Sequence, residues 1–81
     1  MATKKEVLEA ALRGEGCLGK AKDDEPVFVL VGDDMLAVGA IQYWMHRLEM
    51  HRRSGAKVEQ ANEVVQEFLV WAGKNGTKVP D

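Results

Sequence analysis

The segment from residue 34 to residue 53, DMLAVGAIQYWMHRLEMHRR, decides the fold of this chain. Its apolar residues recur at steps of three and four, which is the period of a helix that buries one face. They are Ala37, Ala40, Ile41, Trp44, Met45 and Leu48. Asp33 or Asp34 is a suitable cap at the start, and the basic residues at the other end suit the negative end of the helix dipole. The pattern predicts a long helix two over residues 34–53.

A second helical segment follows Ser54 and Gly55, which break the pattern. Residues 56–73, AKVEQANEVVQEFLVWAG, again place apolar residues on one face. These are Val58, Ala61, Val65, Phe68 and Ala72. Because the connection is short, we expect helices two and three to form a long antiparallel helical hairpin. Glycines then end helix three, and residues 74–81 are predicted to form a tail.

The N-terminal residues have the spacing of a capping box, Thr3-Lys4-Lys5-Glu6. The Thr3 hydroxyl can accept a hydrogen bond from the Glu6 amide, while the Glu6 carboxylate accepts one from the Thr3 amide. An apolar stripe follows, made of Val7, Leu8, Ala11 and Leu12. Gly14 can adopt the left-handed conformation that ends many helices. We therefore predict a short helix one within residues 1–13.

The segment between helix one and helix two divides into a loop and a strand. Residues 14–26 contain three glycines, three consecutive acids and Pro26, so that neither helical nor strand periodicity is sustained. Residues 27–31, VFVLV, are β-branched or apolar and are bounded by Pro26 and Gly32. This composition predicts one short strand, or else an extended buried segment. The chain holds no comparable second run, so another copy of the chain is one candidate partner.

These segments predict a mainly α protein with a single domain over residues 1–81: a short N-terminal helix, a glycine loop, one short strand and the helical hairpin. A fold of 81 residues buries only about 60% of the surface of its unfolded chain. Cys17 is the only cysteine, which excludes an internal disulfide and a cysteine-based zinc site. Small chains without such crosslinks often gain stability by oligomerising, so we expect a homodimer or a higher homo-oligomer.

Charge and hydropathy narrow the class of partner. The formal net charge of −2 disfavours binding to duplex nucleic acid through phosphate neutralisation. The longest apolar run, from Met35 to Ile41, is far shorter than the roughly 20 residues of a membrane span. The start of the sequence, with Lys4, Lys5 and Glu6, does not have a signal-peptide pattern. We expect a cytoplasmic protein without a membrane partner.

A set of apolar residues is predicted to form the interface between copies. The first turns of helix two are apolar on nearly all sides, which three helices of one chain can hardly cover. The predicted strand adds apolar residues whose backbone needs a partner. The interface set is Val27, Val29, Val31, Met35, Leu36 and Val38.

Two groups of residues are candidates for binding a small anionic ligand such as a nucleotide. Residues 14–19, GEGCLG, spell the glycine fingerprint of dinucleotide-binding folds, but a helix precedes them where that fold requires a strand. Loop amides and Lys20 remain able to bind a phosphate, although the glycines also serve simply to end helix one. A cationic and aromatic group on helix two could receive the rest of the ligand. The candidate set is Gly16, Gly19, Lys20, Tyr43, Arg47 and Arg53.

The residues do not predict an enzyme. Cys17 lies beside Lys20, but no pattern supplies the oriented base and third group that nucleophilic catalysis needs. His46 and His51 are five positions apart and point to different sides of a helix, so they cannot share a metal ion as residues four apart can. We expect no catalytic residue, no metal site and no cofactor.

Several segments carry a resemblance to known proteins: GCLGK at 16–20, DDEPVFVL at 23–30, Trp44, AKVE at 56–59 and KVPD at 78–81. The chain from about residue 14 to its end thereby resembles a family of short uncharacterised proteins encoded by bacteriophages and prophages. The resemblance implies a phage origin and the cytoplasm of a host cell as the location. It assigns no activity and no functional residue.

Three hypotheses of function follow. The leading one is a non-catalytic oligomeric binding protein that sequesters a small anionic nucleotide, in analogy with phage proteins of this size that counter host defence. The first alternative is an inhibitor or adaptor that binds a host protein through an apolar helix face. The second alternative is a minor nucleic-acid-binding protein, whose affinity would depend steeply on salt.

Overall fold

The computed structural model describes residues 3–51 and 55–80. Most of these residues lie in α-helices, as predicted for a mainly α protein. The helices are α1 (Lys4–Leu12), α2 (Gly16–Lys20), α3 (Ala37–Met50) and α4 (Gly55–Asn75). They pack in pairs: α1 lies against α2, and α3 lies against α4. In the described part of the chain, no Cα atom of one helix pair lies within 8 Å of a Cα atom of the other pair.

The predicted capping box at the start of α1 is confirmed. The Glu6 amide donates to the Thr3 hydroxyl at 3.3 Å, and the Thr3 amide donates to the Glu6 carboxylate at 3.4 Å. The Thr3 hydroxyl also donates to that carboxylate at 2.8 Å, and this hydrogen bond lowers the pKa of Glu6 from its ordinary value of 4.5. These bonds satisfy amides that the first helical turn leaves without an intrahelical partner.

The end of α1 is a Schellman motif. The amide of Gly14 donates to the carbonyl of Ala11 at 3.0 Å, and the amide of Glu15 donates to the carbonyl of Ala10 at 2.8 Å. Gly14 has a φ of 72°, a conformation that is costly for residues with a Cβ atom. The predicted role of Gly14 is therefore confirmed, and α1 ends one residue before the predicted limit at residue 13.

The prediction of an irregular loop over residues 14–26 is wrong in part, because residues 16–20 form the short helix α2. Gly16 enters this helix with a φ of 71°. A methyl group added at Gly19 would lie 2.8 Å from the carbonyl carbon of Gly14 and 3.2 Å from the Cα atom of Ala11. Gly19 thus permits close packing of α2 on α1, even though glycine has a poor intrinsic helix propensity.

The boundaries of the two long helices differ from the prediction. Helix α3 begins at Ala37 rather than at residue 34, because the Asp34 carboxylate accepts from the Leu36 amide at 2.8 Å in a turn before the helix. Its predicted end at residue 53 lies outside the described residues, and the described helix ends at Met50. Helix α4 continues past residue 73 to Asn75, where Gly76 follows with a φ of 81°.

The core between α3 and α4 is small. Ala37, Ala61 and Val65 are its buried members. The apolar stripe of α3 continues through half-buried Ile41 and Met45, whereas Trp44 on the same predicted stripe is 51% exposed. Within the ranges that the structure covers, no helix has both the length and the apolar character needed to cross a bilayer.

The predicted strand over residues 27–31 does not form within the described chain. A strand requires a ladder of hydrogen bonds to a neighbouring segment, and none of the segments within residues 3–51 and 55–80 supplies one. The β-structure that does occur is an isolated parallel bridge between Asp34 and Lys78. In it, the Lys78 amide donates to the Asp33 carbonyl at 2.7 Å, and the Met35 amide donates to the Lys78 carbonyl at 2.9 Å. These two hydrogen bonds therefore hold the predicted tail against the turn before α3.

Candidate functional site

The glycine part of the candidate ligand site lies on α2. Gly16 is exposed, Gly19 is half-buried against α1, and the side chain of Lys20 is exposed at the end of the short helix. The contact between Gly19 and Gly14 explains why position 19 lacks a side chain. Lys20 is the residue of this group that offers a charge to a ligand.

The aromatic and cationic part of the site lies on α3. The guanidinium carbon of Arg47 is 6.0 Å from the centroid of the Tyr43 ring, and a guanidinium nitrogen donates to the Tyr43 hydroxyl at 3.3 Å. The two residues are one helical turn apart, which brings their side chains to the same face. Tyr43 is 63% exposed. Arg53, the third member of the predicted group, lies outside the described residues.

The structure does not bring the two parts of the predicted site together within one chain. Helix α2 packs on α1, and none of its Cα atoms lies within 8 Å of a Cα atom of α3 in the described residues. Tyr43 and Arg47 are in contact with each other, whereas Gly16, Gly19 and Lys20 belong to the other helix pair.

The predicted interface residues are mostly exposed. Val27, Val29 and Val31 are 59%, 69% and 54% exposed, and Met35 and Leu36 are exposed as well. The remaining member, Val38, is half-buried on α3. The apolar surface expected at the start of helix two and in the segment before it is thus present on the single chain.

The sequence did not indicate a large apolar groove that lies between the two helix pairs. Its volume is 590 Å³, and its walls come from α1, α2, α4 and the segment that precedes α3. The apolar residues of the helical walls are Val7, Leu8, Leu18, Phe68 and Trp71. Apolar periodicity identified most of these positions but assigned them to a core. The groove exists because the two helix pairs do not close on each other.

The chain exposes more surface than a compact monomer of its mass. Its accessible surface is 6815 Å², whereas a folded monomer of 9.0 kDa is expected to expose about 4,850 Å². Its radius of gyration is 13.5 Å, compared with about 12 Å for a compact domain of this length. The excess accessible surface is about 2,000 Å² per chain.

Comparison with known proteins found no relative of this chain. No protein family model, no curated protein and no solved structure matches this chain. In the ranges 3–51 and 55–80, no group of three or more histidine, cysteine, aspartate or glutamate side chains is placed to hold a metal ion.

Proposed function

We propose that this chain is a non-catalytic binding protein that works as a homo-oligomer. The observation that carries this proposal is the excess accessible surface of about 2,000 Å² per chain. In a dimer the two excesses together amount to about 4,000 Å², which lies within the range of about 2,000–5,000 Å² that obligate homodimers bury. The chain also exposes large apolar side chains, among them Phe28, Val29 and Leu36, and exposed apolar patches are typical of a protein interface.

The proposal includes two further elements of the predicted fold, a strand at residues 27–31 and an antiparallel hairpin of α3 and α4. Residues 27–31 become a strand when a second chain supplies the ladder partner. Helices α3 and α4 form an antiparallel hairpin, which is supported by their mutual packing and by the short segment that separates Met50 from Gly55.

The ligand of this oligomer is proposed to be a small anionic molecule of the nucleotide class. Arg47 supplies a positive charge, and Tyr43 supplies an exposed ring on which a base can stack. The contact between the two side chains orients the guanidinium beside the ring, so that a phosphate and a base can be engaged by neighbouring groups.

The segment with Gly16, Gly19 and Lys20 completes the proposed site from another copy. Lys20 is exposed and carries the charge that a phosphate needs. We expect the complete site to form in the oligomer; this is supported by the absence of any Cα atom of α2 within 8 Å of a Cα atom of α3 in the described residues. Ligand binding and assembly are therefore expected to strengthen each other.

The proposed biological setting is the cytoplasm of a bacterial host during phage infection. Only the sequence resemblance described above supports this setting. A binding protein that holds a nucleotide without converting it lowers the concentration of that nucleotide, and in this way it would counter a defence that uses the nucleotide as a signal.

Native mass spectrometry combined with calorimetry tests this proposal. We expect an oligomer in the spectrum and heat of binding with at least one member of a panel of mono-, di- and cyclic nucleotides. Arg47→Ala should abolish that heat, whereas Arg13→Ala, which removes an exposed arginine paired with Glu15, should preserve it. Absence of heat for every nucleotide would refute the ligand, and equal loss in both variants would refute the site.

The apolar groove favours a second candidate function, in which the chain inhibits a host protein by binding one of its apolar helices. A groove lined by Leu8, Phe68 and Trp71 suits an amphipathic helix that inserts apolar side chains. A host protein retained from lysate by the wild type but not by Leu8→Asp would support this function. Equal retention by both would exclude the groove as the binding surface.

A further inference from the structure

Among the residues that the structure describes, residues 27–31 have no strand partner, although the Val31 carbonyl accepts from the Asp34 amide at 3.1 Å. In the described structure, the backbone amides and carbonyls of residues 27–30 form no hydrogen bond with other backbone groups. The side chain of Phe28 is 87% exposed, and Val29 is also exposed. An unpaired segment with β-branched and aromatic side chains is a template for strand addition.

The excess accessible surface favours a second copy of this chain as the occupant. It has the size of the area that each chain contributes to an obligate homodimer. The segment is also self-complementary, because all five of its residues are apolar. This step rests on the homo-oligomer proposed above and specifies one of its interfaces.

We infer that residues 27–31 of two copies pair as antiparallel strands about a twofold axis at Val29. This register places Val27 opposite Val31 of the second copy and Phe28 opposite Leu30. It opposes every apolar residue of the segment with another apolar residue. A shift of one position would place either Pro26, which lacks an amide hydrogen, or Gly32, which lacks a side chain, opposite a strand residue.

The same register also brings like charges together, and their repulsion can be measured. It places Glu25 opposite Asp33 of the second copy, and the twofold axis repeats this like-charge pair. Glu25→Gln removes both repulsions and retains the oxygen that accepts from the Lys22 amide at 3.0 Å. We expect the dimer to dissociate about two- to thirty-fold less readily in this variant. Glu59→Gln, the matched change on exposed α4, should leave dissociation unchanged.

Disulfide crosslinking tests the register directly. In a Cys17→Ser background, Val29→Cys should crosslink to itself on mild oxidation, because opposite Cα atoms of paired strands lie about 4.5–5.5 Å apart. Val27→Cys alone should not crosslink, since the two copies of residue 27 would be about 13 Å apart. A mixture of Val27→Cys and Val31→Cys should crosslink between the two variants. Circular dichroism of each variant checks that the helices are retained.

Each other result would overturn the inference. Crosslinking of all three single variants to themselves would indicate parallel pairing. If none of the variants crosslinks although light scattering shows an oligomer, the interface lies elsewhere and the proposed homo-oligomer still stands. A monomer in light scattering would refute both the pairing and the homo-oligomer.

Discussion

Arg47 holds its guanidinium group 6.0 Å from the centre of the Tyr43 ring and donates a hydrogen bond of 3.3 Å to the hydroxyl of that residue. Both residues lie on α3, separated by one helical turn. The contact fixes a cation beside an exposed aromatic ring without placing either residue in the core. The proposed nucleotide site requires this arrangement. Substitutions of Tyr43 can therefore test base stacking by the ring separately from hydrogen bonding by the hydroxyl.

Substitutions of Tyr43 should separate stacking from hydrogen bonding. Tyr43→Ala removes the ring and is expected to weaken nucleotide binding about 5- to 150-fold, because stacking of a base on an aromatic ring contributes about 1–3 kcal/mol. Tyr43→Phe keeps the ring and should change the affinity by less than about fivefold. Calorimetry with the nucleotide that binds the wild type measures both. Equal losses in the two variants would show that the ring does not stack.

Loss of the capping box should destabilise α1. Thr3→Ala removes the hydroxyl that accepts from the Glu6 amide, and such changes cost about 1 kcal/mol. The expected fall in melting temperature is about 4–8 °C for a domain of this size, at fixed protein concentration. Thermal circular dichroism measures it. Thr77→Ala, an exposed threonine outside the helices, should melt as the wild type does.

The same hydrogen bond makes the stability of α1 depend on pH. Because the bond from the Thr3 hydroxyl lowers the pKa of Glu6 below 4.5 in the folded state, its contribution is fully present above the unfolded-state pKa. The contribution is lost as the pH falls through the lower, folded-state pKa. An NMR titration of the Glu6 carboxyl should show a midpoint below 4.5, and Thr3→Ala should raise it. A midpoint that does not respond to Thr3→Ala would contradict this cause.

Two glycine substitutions should have opposite effects on stability. Gly19→Ala would place a methyl group 2.8 Å from the backbone of Gly14, so we expect overpacking to lower the free energy of unfolding by about 1–3 kcal/mol. Gly39 lies within α3, and a methyl group added there would meet no atom within 4 Å outside the backbone of its own helix. The better helix propensity of alanine should therefore raise the free energy of unfolding of Gly39→Ala by up to about 1 kcal/mol. Urea unfolding measures both changes. A Gly19→Ala variant as stable as the wild type would refute the packing role of Gly19.

Local signals in the sequence predicted α1 and the bodies of the two long helices. The capping pair Thr3 and Glu6, the left-handed Gly14 and the apolar period of α3 and α4 each act within a few residues. These interactions can be identified from spacing alone. The start of α3 was misplaced because an aspartate caps a turn as readily as a helix, and Asp34 caps the turn.

Features that depend on distant contacts could not be predicted. Helix α2 packs on α1 through the close approach of Gly19 to Gly14 and Ala11, and the tail is held by the hydrogen bond from the Lys78 amide to the Asp33 carbonyl. The β-propensity of residues 27–31 was evident, but a strand also needs a partner, and none is present in the described residues. For the ligand site, spacing indicated that Tyr43 and Arg47 share a helix face, whereas the separation of α2 from α3 is a property of the tertiary structure.

The mass of the protein in solution tests the central claim, that the excess surface of one chain is covered by other copies of it. We expect light scattering coupled to size-exclusion chromatography to give a multiple of 9.0 kDa at low micromolar concentration, in a sample whose helices are shown by circular dichroism. A folded protein that elutes with a mass of 9.0 kDa up to high micromolar concentration would contradict the claim.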